Sequence, residues 1–296
     1  MATAFPDAAR IDVSADVAGE LLNAAELLPR YANKEFYSTD LQALVSAGVR
    51  KACPDAFDSI VNLVREKVAR RPYCTVVRGL RFDEGNRLFV ALNRAFGELV
   101  ARPYEAPRAQ LVHYVQPATD IASARGGHES ERLHTDTADW ARPVELISMV
   151  CVRADPGGGG RSRVLDVDTI RNQVTERLGS QTIELLESEP VPWQLAPYWG
   201  GGVTWRPVLT KASLCWRRYT IELAVEAEGV SISAQMREAL DGFEQVISTT
   251  DNTLDFLMRE GDLLFSDNYR TVHARTPISN GATSERLMIR SWIRTS

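Results

Sequence analysis

In the first quarter of the chain apolar residues recur every three to four positions. Between Asp16 and Tyr31 they are Val17, Leu21, Leu22, Ala25, Leu27 and Leu28, with Pro29 near the end. Leu41–Val49 and Phe57–Val68 repeat the pattern, the latter as a stripe of Ile60, Val61, Leu63, Val64 and Val68. This is the period of helices with one buried face, so residues 1–72 are expected to be a helical region covering a sheet. From Cys74 the pattern changes. Cys74–Leu80 reads as a short buried strand closed by Gly79, followed by a helix from about Asp83 to Val100 with Asp83 as N-cap. Ala109–Pro117 reads as a strand ended by proline, and Glu145–Val152 as a buried strand.

The run Asp155–Asp166 contains Gly157, Gly158, Gly159 and Gly160. Four glycines suit a linker or a tight turn that sends the next strand back across the sheet. A phosphate cradle is poorly supported, because the Gly-x-x-x-x-Gly-Lys-Ser/Thr pattern is absent. Two short helices are expected over Asp168–Ser188, strands at Val203–Trp205 and Ser213–Trp216, and an amphipathic helix over Ser233–Ile247. Between them, Trp193, Tyr198 and Trp199 either wall a ligand pocket or pack within loops. Glu260–Asn268 reads as turn, buried strand and turn. The last strand alternates strictly: Arg286, Met288, Arg290, Trp292 and Arg294 on one face, Leu287, Ile289, Ser291 and Ile293 on the other. Strands dominate the second half without the strand–helix alternation of a parallel sheet, which predicts an antiparallel barrel of the jelly-roll kind. The expected fold class is therefore mainly β with flanking helices (α+β), around a jelly-roll core. We read 1–296 as a single domain, with the core over 73–296 and a helical insert around 168–250.

Composition narrows the function. The net charge of -5, without a basic run, argues against a nucleic-acid footprint. No apolar run approaches bilayer length. Met1–Asp7 has neither a basic nor an apolar leader pattern, so a cytoplasmic protein is expected. Cys53, Cys74, Cys151 and Cys215 are widely spaced, which reads as reduced, mostly buried thiols.

The chemistry concentrates in His134-Thr135-Asp136. On an extended strand residues two apart point the same way, so His134 and Asp136 can converge on a metal while Thr135 turns away. Of the other histidines, His273 is best placed to be a third ligand, and two His with one carboxylate is the triad of non-haem Fe(II) oxygenases. His113 reads better as a half-buried strand histidine than as a ligand. The polar loop 120–132 leads into His134 and suits either a mobile lid or a solvated loop. Inward arginines on the last strand would need an anion. Arg286 and Arg290 lie about 13 Å apart along a strand, which supports two anion sites.

These residues resemble the taurine dioxygenase and clavaminate synthase branch of the Fe(II)/2-oxoglutarate oxygenases. The matching pieces, in order, are His134-Thr135-Asp136, the Gly-rich turn ending in Ser162 and Asp166, Gly261-Asp262-Leu263-Leu264-Phe265 with Asp267-Asn268, His273-Ala274-Arg275, and Arg286-Leu287-Met288-Ile289-Arg290. The resemblance implies a double-stranded β-helix (a jelly roll) flanked by helices. It implies Fe(II) held by His134, Asp136 and His273, with 2-oxoglutarate and O2 as cosubstrates. Arg286 would hold the distal carboxylate of 2-oxoglutarate, helped by Ser162 where many members have threonine. Arg290 would meet an anionic group of the substrate. The reaction implied is hydroxylation of an unactivated C–H in a small anionic molecule, an amino acid or an intermediate of specialised metabolism. Desaturation and cyclisation draw on the same chemistry. Two other readings compete: a cupin-like metalloenzyme that does not use 2-oxoglutarate, and a non-catalytic β-barrel binding protein.

Overall fold

The computed structural model describes residues 4–103, 110–116 and 128–295. The N-terminal stripes become α1 (Ala15–Glu26), α2 (Thr39–Ala52) and α3 (Pro54–Val68). Ser14 and Ser38 cap the first two, their hydroxyls accepting from the N–H groups of Val17 and Leu41. Pro54 opens α3 in the first turn, where a missing N–H costs nothing. The buried faces of these helices, including Leu21, Val45, Val49, Phe57, Ile60 and Val64, pack on Val77, Val150, Leu263, Phe265, Ile289 and Ile293 of the largest sheet.

Among the described residues that sheet has seven strands. Its main path is β1 (Arg10–Asp12), β2 (Cys74–Arg78), β10 (Leu263–Asp267), β5 (Leu146–Arg153), β12 (Leu287–Arg294) and β3 (Glu98–Val100), and β4 (His113–Val115) also pairs with β12. Among these described strands only β1, which pairs with β2, runs parallel to its neighbour. A smaller sheet follows the order β11 (Thr271–Arg275), β6 (Ser162–Asp166) and β9 (Leu254–Phe256). Val164, Leu254 and Phe256 from the smaller sheet share a core with Cys74, Val76, Cys151, Leu264 and Met288 from the larger. The two sheets therefore pack face to face. Leu165, Val272 and Ala274 point the other way, into a second helical layer. That layer comprises α5 (Val167–Leu178), α6 (Ser180–Ser188), α7 (Arg218–Glu228) and α8 (Ala234–Thr249), interrupted by the hairpin of β7 (Val191–Gln194) and β8 (Val203–Arg206).

Several expectations need correction. The helices weigh more than expected in this mixed α and β fold, because a full helical layer covers each side of the sheet pair. The helix expected from Asp83 to Val100 is only α4 (Arg87–Arg94), and the chain then turns into β3. A Cβ on Gly97 would sit 2.2 Å from the Arg294 carbonyl oxygen, so glycine there lets β3 lie against β12. Asp83 still serves the helix start, its carboxylate accepting from the N–H groups of Arg87 and Leu88. The strand expected over Ala109–Pro117 is described only as β4. Ser213–Trp216 makes a single bridge, between Leu214 and Leu209. His134 likewise makes one bridge, to His273, and the chain turns at Asp136 instead of continuing as a strand. Most of the 120–132 loop lies outside the described residues; its end, His128–Glu131, is a short 3-10 helix.

Candidate metal centre

The pairing of His134 with His273 builds the site. Each donates its backbone N–H to the other's carbonyl, at 3.0 and 2.9 Å, which sets the two imidazoles side by side with centroids 4.6 Å apart. Asp136 reaches the same point although its backbone has left the strand. Asn268, fully buried, grips its peptide: the side-chain oxygen accepts from Asp136 N at 2.9 Å and the amide donates to Asp136 O at 3.0 Å. Asp136 Oδ1 then lies 3.8 Å from His134 Nε2 and 3.7 Å from His273 Nε2. One ligand atom from each of the three residues falls within 4.8 Å of the others.

Protonation is settled by neighbours. The Nδ1 of His134 sits 2.8 Å from the Arg132 carbonyl and must donate to it, leaving the Nε2 lone pair for a metal. Burial, with the charges of His273 and Arg217 nearby, pushes the His134 imidazole down to about 3, so it is neutral at ordinary pH. Burial alone would raise the Asp136 carboxyl. Arg290 and the two imidazoles outweigh it and hold the group well below the usual carboxylate range. Trp292 donates Nε1–H to Asp136 Oδ2 at 2.8 Å, and Arg290 Nη1 lies 3.3 and 3.2 Å from the two carboxylate oxygens. One carboxylate edge is thus held by the protein while Oδ1 faces the imidazoles. Two imidazole nitrogens and a carboxylate oxygen fit a divalent iron with positions left open.

The other sequence-predicted residues lie around this centre. Arg286 is buried and donates to the Gly160 carbonyl at 3.3 Å, two residues before Ser162. Ser162 is buried at the start of β6, paired across the sheet with Arg275, two residues on from His273. The inward anion anticipated for Arg290 includes one from the protein itself, Asp136. His113 pairs with Arg290 between β4 and β12 and so shares its face. Trp292, Asn268 and Arg217 carried no assigned role in the sequence. The alternation of the last strand did place Trp292 beside Arg290, whereas nothing in the sequence pointed to Arg217.

A centre of this kind defines a mononuclear non-haem iron oxygenase. Residues 46–292 match the family described as taurine catabolism dioxygenase TauD, TfdA family. The chain belongs to that family, and with it to the Fe(II)- and 2-oxoglutarate-dependent dioxygenases. No curated protein sequence matches the chain. Among solved structures, asparagine oxygenase in complex with Fe(II), 2S,3S-3-hydroxyasparagine and succinate is similar at 18% identity, with a TM-score of 0.71 over 97% of this chain and 94% of that one. The non-heme iron oxygenase OrfP with Fe and alpha-ketoglutaric acid aligns with a TM-score of 0.73 at 18% identity, over 97% and 94% of the two chains. OrfP with Fe, succinate and (3S)-hydroxy-L-Arg gives the same values. No described helix is long and apolar enough to cross a membrane.

Proposed function

We propose that this protein hydroxylates an unactivated C–H of a small amino-acid-like substrate, with His134, Asp136 and His273 as the iron ligands. The observation that carries the reading is the convergence of these three donor atoms, with Nε2 of His134 and Oδ1 of Asp136 oriented by their other hydrogen bonds. Iron bound there, with 2-oxoglutarate and O2, supplies the oxidising power for oxygen insertion. The chain's own residues bind and orient. Arg286, with Ser162, takes the distal carboxylate of 2-oxoglutarate; a planar guanidinium suits a carboxylate. Arg290, which holds Asp136, is the residue we assign to an anionic group of the substrate. The two facing sheets form a double-stranded β-helix, and residues 1–296 act as one domain, with 1–72 as its helical N-terminal region and an insert near 168–250. The similarity to enzymes whose structures contain hydroxylated asparagine and arginine supports an amino-acid substrate.

The test is anaerobic addition of Fe(II) and 2-oxoglutarate, read by the weak visible charge-transfer band. We expect His134→Ala and His273→Ala each to lose most of the band while keeping the fold. Arg286→Ala should raise the 2-oxoglutarate requirement at least tenfold, since truncating one partner of a buried charge pair costs on the order of 2–5 kcal/mol. An undiminished band in both histidine variants removes the triad assignment. A superimposable 2-oxoglutarate titration removes Arg286.

A further inference from the structure

Four aromatic rings form an unbroken path from a proposed iron ligand to the surface. Trp292 donates its indole N–H to Asp136 Oδ2 at 2.8 Å. Trp140 meets Trp292 edge-on, with ring centroids 5.5 Å apart. Trp199 stands against Trp140 at 5.1 Å, and Tyr198 follows at 6.0 Å from Trp199. Trp292 and Trp140 are 7% and 3% exposed, whereas Trp199 is 42% exposed. The path is closed to water at its inner end and open to it at its outer end.

Hydrogen bonds hold the rings in this order. Ala196 N donates to the Asp139 carbonyl at 3.0 Å, the Tyr198 hydroxyl to Asp139 Oδ2 at 3.2 Å, and Arg206 to the carbonyls of Ala138 and Trp140. Indole and phenol rings give up single electrons more readily than most side chains, and rings this close pass them on. Charge also favours movement outward. Arg290 and Arg102 lie over the Trp292 ring, at 4.6 and 5.9 Å from its centroid. A cation over a ring face holds its electrons, so a positive charge is unfavourable on Trp292, while water can solvate it at Trp199. Arg102 also lies over Tyr198, at 5.4 Å, but that phenol can pass its proton to Asp139 as it loses an electron.

We propose that Trp292, Trp140, Trp199 and Tyr198 are an electron relay that gives the enzyme a second, substrate-free activity, the oxidation of a small water-soluble ene-diol at Trp199. This rests on the oxygenase reading above. With no substrate C–H to attack, 2-oxoglutarate and O2 yield succinate, CO2 and a two-electron oxidising equivalent at the iron. Two electrons pass inward along the rings, one at a time, and two protons arrive from solvent. The remaining oxygen atom leaves as water, and the iron returns to Fe(II). An ene-diol such as ascorbate supplies both electrons at the outer end, releases two protons and becomes the diketone. Without a reductant, the outer rings themselves lose the two electrons, and one of them takes an oxygen atom from water with release of two protons.

The experiment uses the whole protein loaded anaerobically with Fe(II) and 2-oxoglutarate, with catalase and superoxide dismutase present to remove diffusing oxidants. Oxygen is admitted without substrate. Peptide mass spectrometry then locates added oxygen in samples lacking reductant, and ascorbate loss per succinate is measured in samples containing it. We expect wild type to carry added oxygen on Trp199 and Tyr198, and to consume close to one ascorbate per succinate. Trp140→Phe keeps a packed ring but breaks the relay. It should lower the modification of both outer residues at least fivefold, and ascorbate loss per succinate at least threefold, with the anaerobic visible band unchanged. Trp199→Phe, at an exposed position that folding tolerates, should lower ascorbate loss similarly and decides the matter if Trp140→Phe misfolds. Outer-ring modification in folded Trp140→Phe within twofold of wild type overturns the relay. So does wild-type oxidation confined to other residues, or ascorbate loss in Trp199→Phe equal to wild type. Each of these leaves the oxygenase reading intact, whereas absence of the band in the wild type overturns both.

Discussion

At the scale of single residues, the centre depends on groups that fix which atom of each ligand is offered. His134 shows this through pH. Its imidazole is pushed down to about 3, chiefly by burial, while an unfolded histidine titrates near 6.5. The unfolded chain therefore takes up a proton that the folded chain refuses, and stability is lost as pH falls from about 6.5 toward 3. The slope from this group is at most about 1.4 kcal/mol per pH unit. Thermal melts of metal-free protein between pH 8 and pH 5 should show a steeper decline for wild type than for His134→Gln; parallel curves would contradict it. Trp292 gives a second expectation. Its indole N–H is a donor to the outer oxygen of Asp136, and partners that orient metal ligands typically contribute 10–100-fold in metal affinity. Trp292→Phe keeps the ring but loses the donor, so an Fe(II) titration should weaken about tenfold, with Arg290 still holding the carboxylate. A change below twofold would make the indole a packing residue only.

At the scale of elements, β12 and the turn before β6 meet at Arg286. Gly160 has a φ of +62°, and a Cβ there would lie 2.6 Å from Arg286 Nε. Glycine is thus required twice, by the backbone and by the side chain packed over it. Gly160→Ala should displace Arg286 and raise the 2-oxoglutarate requirement several-fold, with less effect on Fe(II) binding. An unchanged requirement would show that Arg286 is not held by this turn. The β2–β10 pair is tied by Arg78 and Asp262, whose side chains meet at 2.9 Å with Asp262 buried. Removing one partner of a buried pair costs about 3–5 kcal/mol; Arg78 is partly exposed, so Arg78→Ala is expected near the lower figure. Urea melts should show the midpoint falling at unchanged slope.

For the whole molecule, the sheet pair is covered by helices on both outer faces, and the proposed iron ligands lie where the two sheets and the 134–136 segment come together. His273 comes from the smaller sheet, Arg290 and Trp292 from the larger, and Asn268 from the connection between β10 and β11. Ligands that bind only the folded chain should therefore stabilise all of it. At a hundredfold excess over Kd the gain is about 2.7 kcal/mol, enough to raise Tm by several degrees. His273→Ala should lose the rise caused by Fe(II) and 2-oxoglutarate together; a rise as large as wild type would place the ligands elsewhere.

The linear order of the chain was enough for whatever depends on local period and on short spacing. Helical stripes at 17–28, 41–49 and 57–68 became α1, α2 and α3, because a stripe of that period is buried only as a helix. Alternation over 286–294 correctly put Arg290 and Trp292 on one face. The grouping of His134, Asp136 and His273 was also legible from type and order. Tertiary structure decided the rest. Whether 83–100 stayed helical depended on Gly97 approaching Arg294, a contact nearly two hundred positions away in sequence. Asp136 points at the histidines because Asn268 holds its peptide, not because it continues a strand.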